Sequence, residues 1–341
     1  MKHIKFPGNI DTINRRLPFF LATEEWVARH MPAGDYFFSW QVDPTVICGR
    51  NQEIAKEVNL NYCKENSIDV VRRRSGGGAV FADRENFMFS YITDGDNVTE
   101  EFARYTGMIA TALRNIGINA VATGRNDITI DEKKVSGNAF YHIPGRCIAH
   151  GTMLYDFDPA HISNALTPSR AKLESKGVKS VKSRVTCLKN EGISLSPCDF
   201  ERYMIESITD GDPYVITEKD LDEIVRIESR YYDPSFLKIE DTSSNHTETV
   251  SGTQLISNLM RLDGIGEFQI EYRLDSNNLI NDFNISGDFF MREDIDKRIC
   301  NALNGVQCEK ASLHEAISKI NPESVIPGLT DNKLLNLVLP Y

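Results

Sequence analysis

The sequence predicts an α+β protein of mixed, mainly antiparallel sheets flanked by helices, followed by a small C-terminal α+β domain. Three observations carry this. Short runs of strand formers such as YFFSW (36–40), TVIC (45–48) and FMFSYI (87–92) recur between polar turns. Helical periodicity is interspersed among them. It is clearest at 98–116, where Phe102, Tyr105, Ile109, Leu113 and Ile116 form one apolar stripe and Gly117 offers a stop. A polar stretch, DTSSNHTETVSGT at 241–253, has no periodic apolar residues and divides the chain into a main domain, 1–245, and a small one, 254–341.

The elements follow in order. Residues 17–31 read as a helix. Leu17, Leu21, Ala22, Val27 and Ala28 keep a near-3.6-residue spacing, Glu24 and Glu25 fall on the other side, and Met31-Pro32 ends it. Asp43-Pro44 joins the strands at 36–40 and 45–48, a short helix is expected at 59–66, and 68–71 and 79–81 are strand-like. The turn at 83–86 is short enough to predict an antiparallel hairpin between 79–81 and 87–92. Ile128-Thr129-Ile130, Asp131-Glu132 and 133–141 read as a second hairpin, with a further strand at 148–155. Helices are expected at 158–166, 199–208 and 220–231. The small domain should hold strands at 266–272 and 279–285 and helices at 294–303, 312–320 and near Asn332.

Composition narrows the function classes. The 341 residues are 41% hydrophobic and 26% charged, enough to bury a core of the ordinary soluble kind. A formal net charge of −11 argues against a nucleic-acid partner. Seven cysteines without a C-x-x-C pair point away from disulfides and structural zinc and toward a reducing cytoplasm. The start, MKHIKFPGNIDT, lacks the apolar run of a secretion signal, and no stretch has the length of a membrane span; neither is expected.

The chemistry concentrates in two loops. Residues 72–83 read RRRSGGGAVFAD. Glycines let the backbone approach a ligand closely, successive N–H groups form an anion nest, and arginines fork onto phosphate or carboxylate oxygens. A triple glycine alone suits a surface turn equally well; strand formers on both sides tie this one down. The loop lies between strands, and neither a G-x-x-x-x-G-K-[ST] nor a G-x-G-x-x-G opening a helix is present, which removes the P-loop and dinucleotide readings. The second loop, GRNDITIDEKKVSGNAF at 124–140, supplies Asp127, Lys134 and Ser136. Together the two loops suit a phosphorylated or nucleotide ligand, with Asp127 of the type that helps hold magnesium. A lone lysine also reads as a solvated surface residue. The most basic segment, 170–189, reads either as a solvated face or as a dock for an acidic partner or a nucleotide.

Four motifs, in order, resemble those of lipoate–protein ligases of the two-domain bacterial type. They are RR-x-SGGG-A-V at 72–80, GRND…K-x-SG at 124–137, H-G-T at 150–152 and K-G-V-x-S-V-x-S-R-V at 176–185. The likeness spans roughly 15–230 and is weaker beyond 250, where ISGDFF at 285–290 is similar to the accessory domain. The resemblance implies a biotin/lipoate ligase-like catalytic fold. It also implies two half-reactions: ATP and lipoate give lipoyl-AMP, and a lysine of an acceptor lipoyl domain then takes the lipoyl group. It implies ATP, Mg2+ and lipoate as ligands, and acceptors among 2-oxoacid dehydrogenase complexes or the glycine-cleavage H-protein. A monomer in the cytoplasm is expected, with neither nucleic acid nor membrane. Carried over by residue, Lys134 is the catalytic cation. Arg73, Ser75, Gly76, Gly77, Gly78, Ala79, Val80, Phe81, Asp127 and Ser136 line ATP or the adenylate. His150 and Gly151 belong to the lipoate pocket, and Asp127 pairs with magnesium or with the lysine. Many family members have histidine where this chain has Ala82.

Two other readings stay open on residues alone. An octanoyl- or lipoyl-transferase of the same fold would work through a cysteine acyl-enzyme, with Cys147 as the one candidate thiol. A non-catalytic lipoate or nucleotide binder would have no need of Arg73 and Lys134. A biotin–protein ligase would show a G-R-G-R-x-x-type loop, which the chain lacks.

Overall fold

The computed structural model describes residues 1–8, 14–95, 97–123, 126–167, 185–238 and 254–339. They form two bodies. The first comprises Met1–Cys48, Val58–Arg73 and Val80–Lys238; the second comprises Gly49–Glu57, Arg74–Ala79 and the described residues from 254 onward. The sequence places the division at 241–253, which lies outside the described residues. It does not foresee that two short mid-chain segments join the second body.

The first body is built on an eight-stranded sheet of order β11-β1-β2-β6-β10-β9-β8-β7. Its strands are β1 (Lys2–Lys5), β2 (Tyr36–Trp40), β6 (Asn86–Thr93), β7 (Val121–Ala122), β8 (Asp127–Ile130), β9 (Lys133–Ile143), β10 (Arg146–Leu154) and β11 (Tyr214–Val215). From β2 through β6, β10, β9, β8 and β7 every pairing is antiparallel, while β1 pairs parallel with both β2 and β11. A second sheet has order β4-β3-β5, from Asp69–Arg72, Thr45–Cys48 and Val80–Ala82.

This arrangement corrects one expectation. β5 and β6 do not form a hairpin: β5 pairs with β3, and β6 lies between β2 and β10. The reason is apolar surface on both faces of β6. Phe87, Phe89 and Tyr91 enter one core while Met88 and Ile92 enter the other. A strand buried on both faces takes the middle of a large sheet. The turn at 83–86 therefore hands the chain from one sheet to the other.

Helices cover both faces. Leu17–His30 packs on one, with Phe20, Phe38, Trp40, Met88 and Ile148 in its core. Val98–Asn115 and Pro197–Ile208 pack on the other, with Phe89, Tyr105, Ile109 and Met204. The helices expected at 59–66, 158–166 and 220–231 appear as Leu60–Glu65, Pro159–Ala165 and Glu218–Glu228. Periodicity misplaces two side chains. Glu24 and Glu25 are fully buried, where amphipathic spacing puts them on the solvent side.

The second body pairs β12 (Gln254–Leu262), β13 (Gly266–Leu274) and β14 (Ile280–Gly287) antiparallel, with helices at Lys310–Ile320 and Asp331–Val338 closing a core of Phe268, Phe289, Leu313, Ile317 and Leu334. β12 escapes sequence reading because Leu255 and Leu259 stand exposed on its outer side, which blurs the apolar alternation.

Candidate active site

The site in the first body starts from the β8–β9 hairpin. Its two-residue turn holds Asp131 at φ 46° and Glu132 at φ 65°, left-handed values of the kind that a tight hairpin requires. Ile128 pairs with Ser136, yet the next residue, Thr129, pairs with Lys134. Val135 is therefore the extra residue of a β-bulge. The bulge decides the chemistry. In a regular strand Lys134 would share a face with Ser136, because side chains alternate. With Val135 inserted and buried in the core beside Tyr105, Lys134 turns to the face of Gly137 instead. There its Nζ lies 2.6 Å from Asp127 Oδ1. That oxygen is buried and accepts no well-aligned hydrogen bond, so the contact is a charge pair.

Cross-strand partners share a face, so register shows what else faces Lys134. Trp40, Met88, Thr152, Gly137 and Asp127 form one row across β2, β6, β10, β9 and β8. Phe38, Ser90, His150 and Ala139 form the neighbouring row. The helix Leu17–His30 lowers Glu24 onto this second row. Its carboxylate meets His150 Nδ1 at 2.9 and 3.0 Å and accepts a hydrogen bond from Ser90 Oγ at 2.6 Å. Ser90 in turn accepts from Trp40 Nε1 at 2.9 Å. One sheet face thus carries a cation–carboxylate pair at one end and a buried polar chain bordered by Trp40 at the other. β10 and β8 are two strand spacings apart, roughly 10 Å.

Arg73 follows β4. Its backbone N–H donates to Cys48 O at 2.9 Å and its Nη1 to Ile47 O at 3.0 Å. Burial, reinforced by the neighbouring Arg72, pulls its guanidinium down to about 10, which leaves it a cation at neutral pH. Phe81 is buried and stacks on His161 of the helix Pro159–Ala165, 6.0 Å between centroids and 4° from parallel. Beyond the undescribed part of the basic segment, Val185 bridges to Lys134, and Thr186 N–H donates to Lys134 O at 2.9 Å.

Ser75 to Ala79 belong to the second body. There Ser75 O accepts from Arg50 N–H at 2.9 Å, and Gly77 N–H donates to Phe289 O at 3.0 Å. A Cβ on Gly76 would come 2.4 Å from Phe289 O. In this arrangement Gly76 makes room for protein backbone, a use the ligand-only reading of the loop does not include.

Comparison with known proteins identifies the family. Residues 18–209 match the lipoyl protein ligase A/B catalytic domain, and 256–338 match the bacterial lipoate protein ligase C-terminus. The chain is 32% identical to lipoate-protein ligase LplJ of Bacillus subtilis over 332 residues, covering 93% of this chain and 95% of that one. The chain belongs to the lipoate–protein ligase family. It is also 38% identical over 220 residues to lipoate–protein ligase 1 of Staphylococcus aureus, 62% of this chain and 66% of that one. Among solved structures, P. falciparum LipL1 in complex with lipoate has the same fold at TM-score 0.72 and 20% identity, covering 98% of this chain and 97% of that one. A bipartite lipoate protein ligase of Thermoplasma acidophilum, studied with its E2 lipoyl domain, aligns at TM-score 0.60 and 26% identity over 70% of this chain and 96% of that one.

Within this ligase the expected site residues divide. Lys134, Asp127 and His150 share one sheet face. Ser136 and Gly151 do not: Ser136 Oγ donates to Asn138 Oδ1 at 3.2 Å, and a Cβ on Gly151 would strike that same Asn138 oxygen. For Ser136 the bulge is the reason, since it turns Lys134 to the other face; Gly151 simply alternates with His150 along β10. Glu24, Ser90 and Trp40 are contributions that sequence reading does not find. Asp127 does not fit a resident magnesium site. It faces the Lys134 ammonium, and no cluster of three His, Cys, Asp or Glu side chains gathers among the described residues. Ala82 is fully buried in the core and offers the site no polar group. Cys147 is buried, and burial pushes its thiol up to about 12, the reverse of an activated nucleophile.

Proposed function

We propose that the ligase activates lipoate with ATP and transfers the lipoyl group to a lysine of an acceptor lipoyl domain. The observation that carries this is the Lys134–Asp127 pair on the same sheet face as the Glu24–His150 chain. A fatty-acid-like substrate needs a cation for its carboxylate at one end and a wall for its ring at the other; Lys134 is assigned to the first and the face around His150 to the second. In the first half-reaction a lipoate carboxylate oxygen attacks the α-phosphorus of ATP, and the bond to pyrophosphate breaks. In the second, the acceptor amine attacks the acyl carbon, AMP leaves and the amine sheds a proton to water. No covalent protein nucleophile is required; the work is orientation and charge stabilisation.

Lys134 and Arg73 are assigned to the developing phosphoryl charge, with Asp127 holding Lys134 in place. Ser75, Gly76, Gly77, Gly78, Ala79, Val80 and Phe81 are assigned to the adenylate through backbone groups. His150 is assigned to the lipoate pocket, with Glu24 fixing its ring. Magnesium is taken to arrive on the phosphates of ATP as part of the substrate. The acceptors proposed are lipoyl domains of 2-oxoacid dehydrogenase complexes or the glycine-cleavage H-protein, met by a cytoplasmic monomer. No helix of the described residues is long and apolar enough to cross a membrane. The catalytic part is proposed as 1–245 and the accessory part as 254–341. The test is purified protein with Mg-ATP, lipoate and an apo lipoyl domain, followed by AMP release and intact-mass spectrometry of the acceptor. Transfer from acyl-carrier donors without ATP, and none with ATP and free lipoate, would overturn the reading.

A further inference from the structure

We infer that Gly137 is a positioning residue for the Lys134 ammonium: its missing side chain is the seat in which the lysine tip lies. The inference rests on the catalytic role proposed for Lys134. A Cβ built on Gly137 would fall 2.6 Å from both Cε and Nζ of Lys134, with only Thr152 Oγ1 next nearest at 3.8 Å. The ammonium that pairs with Asp127 therefore lies directly over the Gly137 Cα. Register explains how it gets there. Gly137 is the cross-strand partner of Asp127, and the Val135 bulge brings Lys134 onto the same face three residues earlier. Asp127, Gly137 and Lys134 thus make a three-point seat of carboxylate, open floor and cation.

Backbone conformation does not demand glycine here. Gly137 is absent from the positive-φ glycines, so an L residue fits its backbone without strain. The only clash from a methyl group is with the far end of a flexible lysine, which can swing away. The substitution should therefore spare the fold and move the charge, and a displacement of about 1 Å at a reacting centre costs on the order of 100-fold in rate.

The experiment compares wild type, Gly137→Ala, Gly137→Ser, Lys134→Ala and the Gly137→Ala/Lys134→Ala double variant. The readouts are ATP–pyrophosphate exchange with lipoate, thermal unfolding and a crystal structure of Gly137→Ala. The expected result is unfolding close to wild type, Lys134 Nζ moved off Asp127, and exchange slowed about 10- to 100-fold. The loss should fall on kcat more than on KM for lipoate or ATP. The double variant should be no slower than Lys134→Ala alone, because a lysine already displaced has little left to lose. If Lys134 Nζ keeps its place beside Asp127 in Gly137→Ala, or if the two substitutions multiply, Gly137 does not position the lysine. A dead Lys134→Ala beside a fully active Gly137→Ala overturns Gly137 only. A fully active Lys134→Ala overturns the assignment of Lys134 itself, and the positioning role with it.

Discussion

His150 Nδ1 meets both carboxylate oxygens of Glu24, at 2.9 and 3.0 Å, although the two residues are 126 positions apart and Glu24 is fully buried. The carboxylate has a second donor in Ser90, itself bonded to Trp40. A buried carboxylate is tolerated only when its oxygens are satisfied, and here His150 and Ser90, from two strands of the sheet, supply the partners. The helix Leu17–His30 is thereby fixed to the sheet by a polar contact as well as by the apolar core around Phe20.

Replacing Glu24 with alanine should be costly in two ways. It leaves Ser90 Oγ and the His150 ring without their buried acceptor and opens a void under the helix. A buried hydrogen-bonding group that loses its acceptor costs about 1–3 kcal/mol, which urea unfolding of Glu24→Ala will measure. In the same variant KM for lipoate should rise more than KM for ATP, because His150 loses its orientation while Lys134 keeps its partner.

Lys134→Ala should behave differently. Both members of the Lys134–Asp127 pair are about a quarter to a third exposed, at 30% and 26%. Stability should fall by only about 1 kcal/mol: the side chains are partly solvent-facing, but the buried Asp127 Oδ1 loses its ammonium partner. Adenylate formation should fall by about 10²- to 10³-fold, the usual loss when one stabiliser of transition-state charge is removed. Pyrophosphate exchange with lipoate measures this step. Transfer from chemically prepared lipoyl-AMP should be affected less.

These two cases show what the sequence discloses and what it hides. Lys134, Asp127 and Arg73 lie in short local motifs whose residue types already suit phosphate. Glu24 sits on the polar side of an amphipathic helix, Ser90 in the middle of an apolar strand and Trp40 among aromatics. Each looks ordinary until the tertiary fold joins them. The same limit applies to β6, whose neighbours are set by apolar surface on both faces and not by the short turn before it. The Val135 bulge is likewise invisible in KKVSGN, and it decides which of Lys134 and Ser136 faces the ligand.

The pH dependence of stability should carry the mark of Cys147. Burial raises its folded thiol from the ordinary value of 9.0 to about 12. Between those values the unfolded chain ionises its thiol while the folded chain holds the proton, so the unfolded state binds fewer protons. Stability from this residue is fully present below pH 9 and is lost as pH rises toward 12, at up to roughly 1.4 kcal/mol per pH unit. Urea unfolding at pH 8, about 9.5 and about 10.5 should show a flatter decline in Cys147→Ala than in wild type. Lipoylation by that variant should persist, since a thiol held protonated forms no acyl-enzyme. Loss of acyl transfer with an intact fold would instead revive the cysteine mechanism.

Gly76→Ala tests whether the glycine loop is shaped by protein contacts in the second body. The added Cβ would lie 2.4 Å from Phe289 O and 3.0 Å from Phe290 Cα, both backbone atoms that cannot rotate out of the way. The same carbonyl accepts the Gly77 N–H at 3.0 Å, and nearby Gly287 N–H donates to Asn51 O at 2.8 Å. Ser286 Oγ adds a bond to Glu53 at 2.9 Å. Relief of the overlap therefore requires the loop to pull away from 287–290, breaking at least the Gly77–Phe289 bond. Overpacking of this kind costs about 1–3 kcal/mol, but only locally. The expected result is faster hydrogen exchange at the Gly77 and Gly287 amides in Gly76→Ala, with the core amides of β13 unchanged. Exchange at Gly77 equal to wild type would mean that the loop and Phe289 do not hold each other. Exchange accelerated throughout β13 would mean that Gly76 supports the whole body and not one contact.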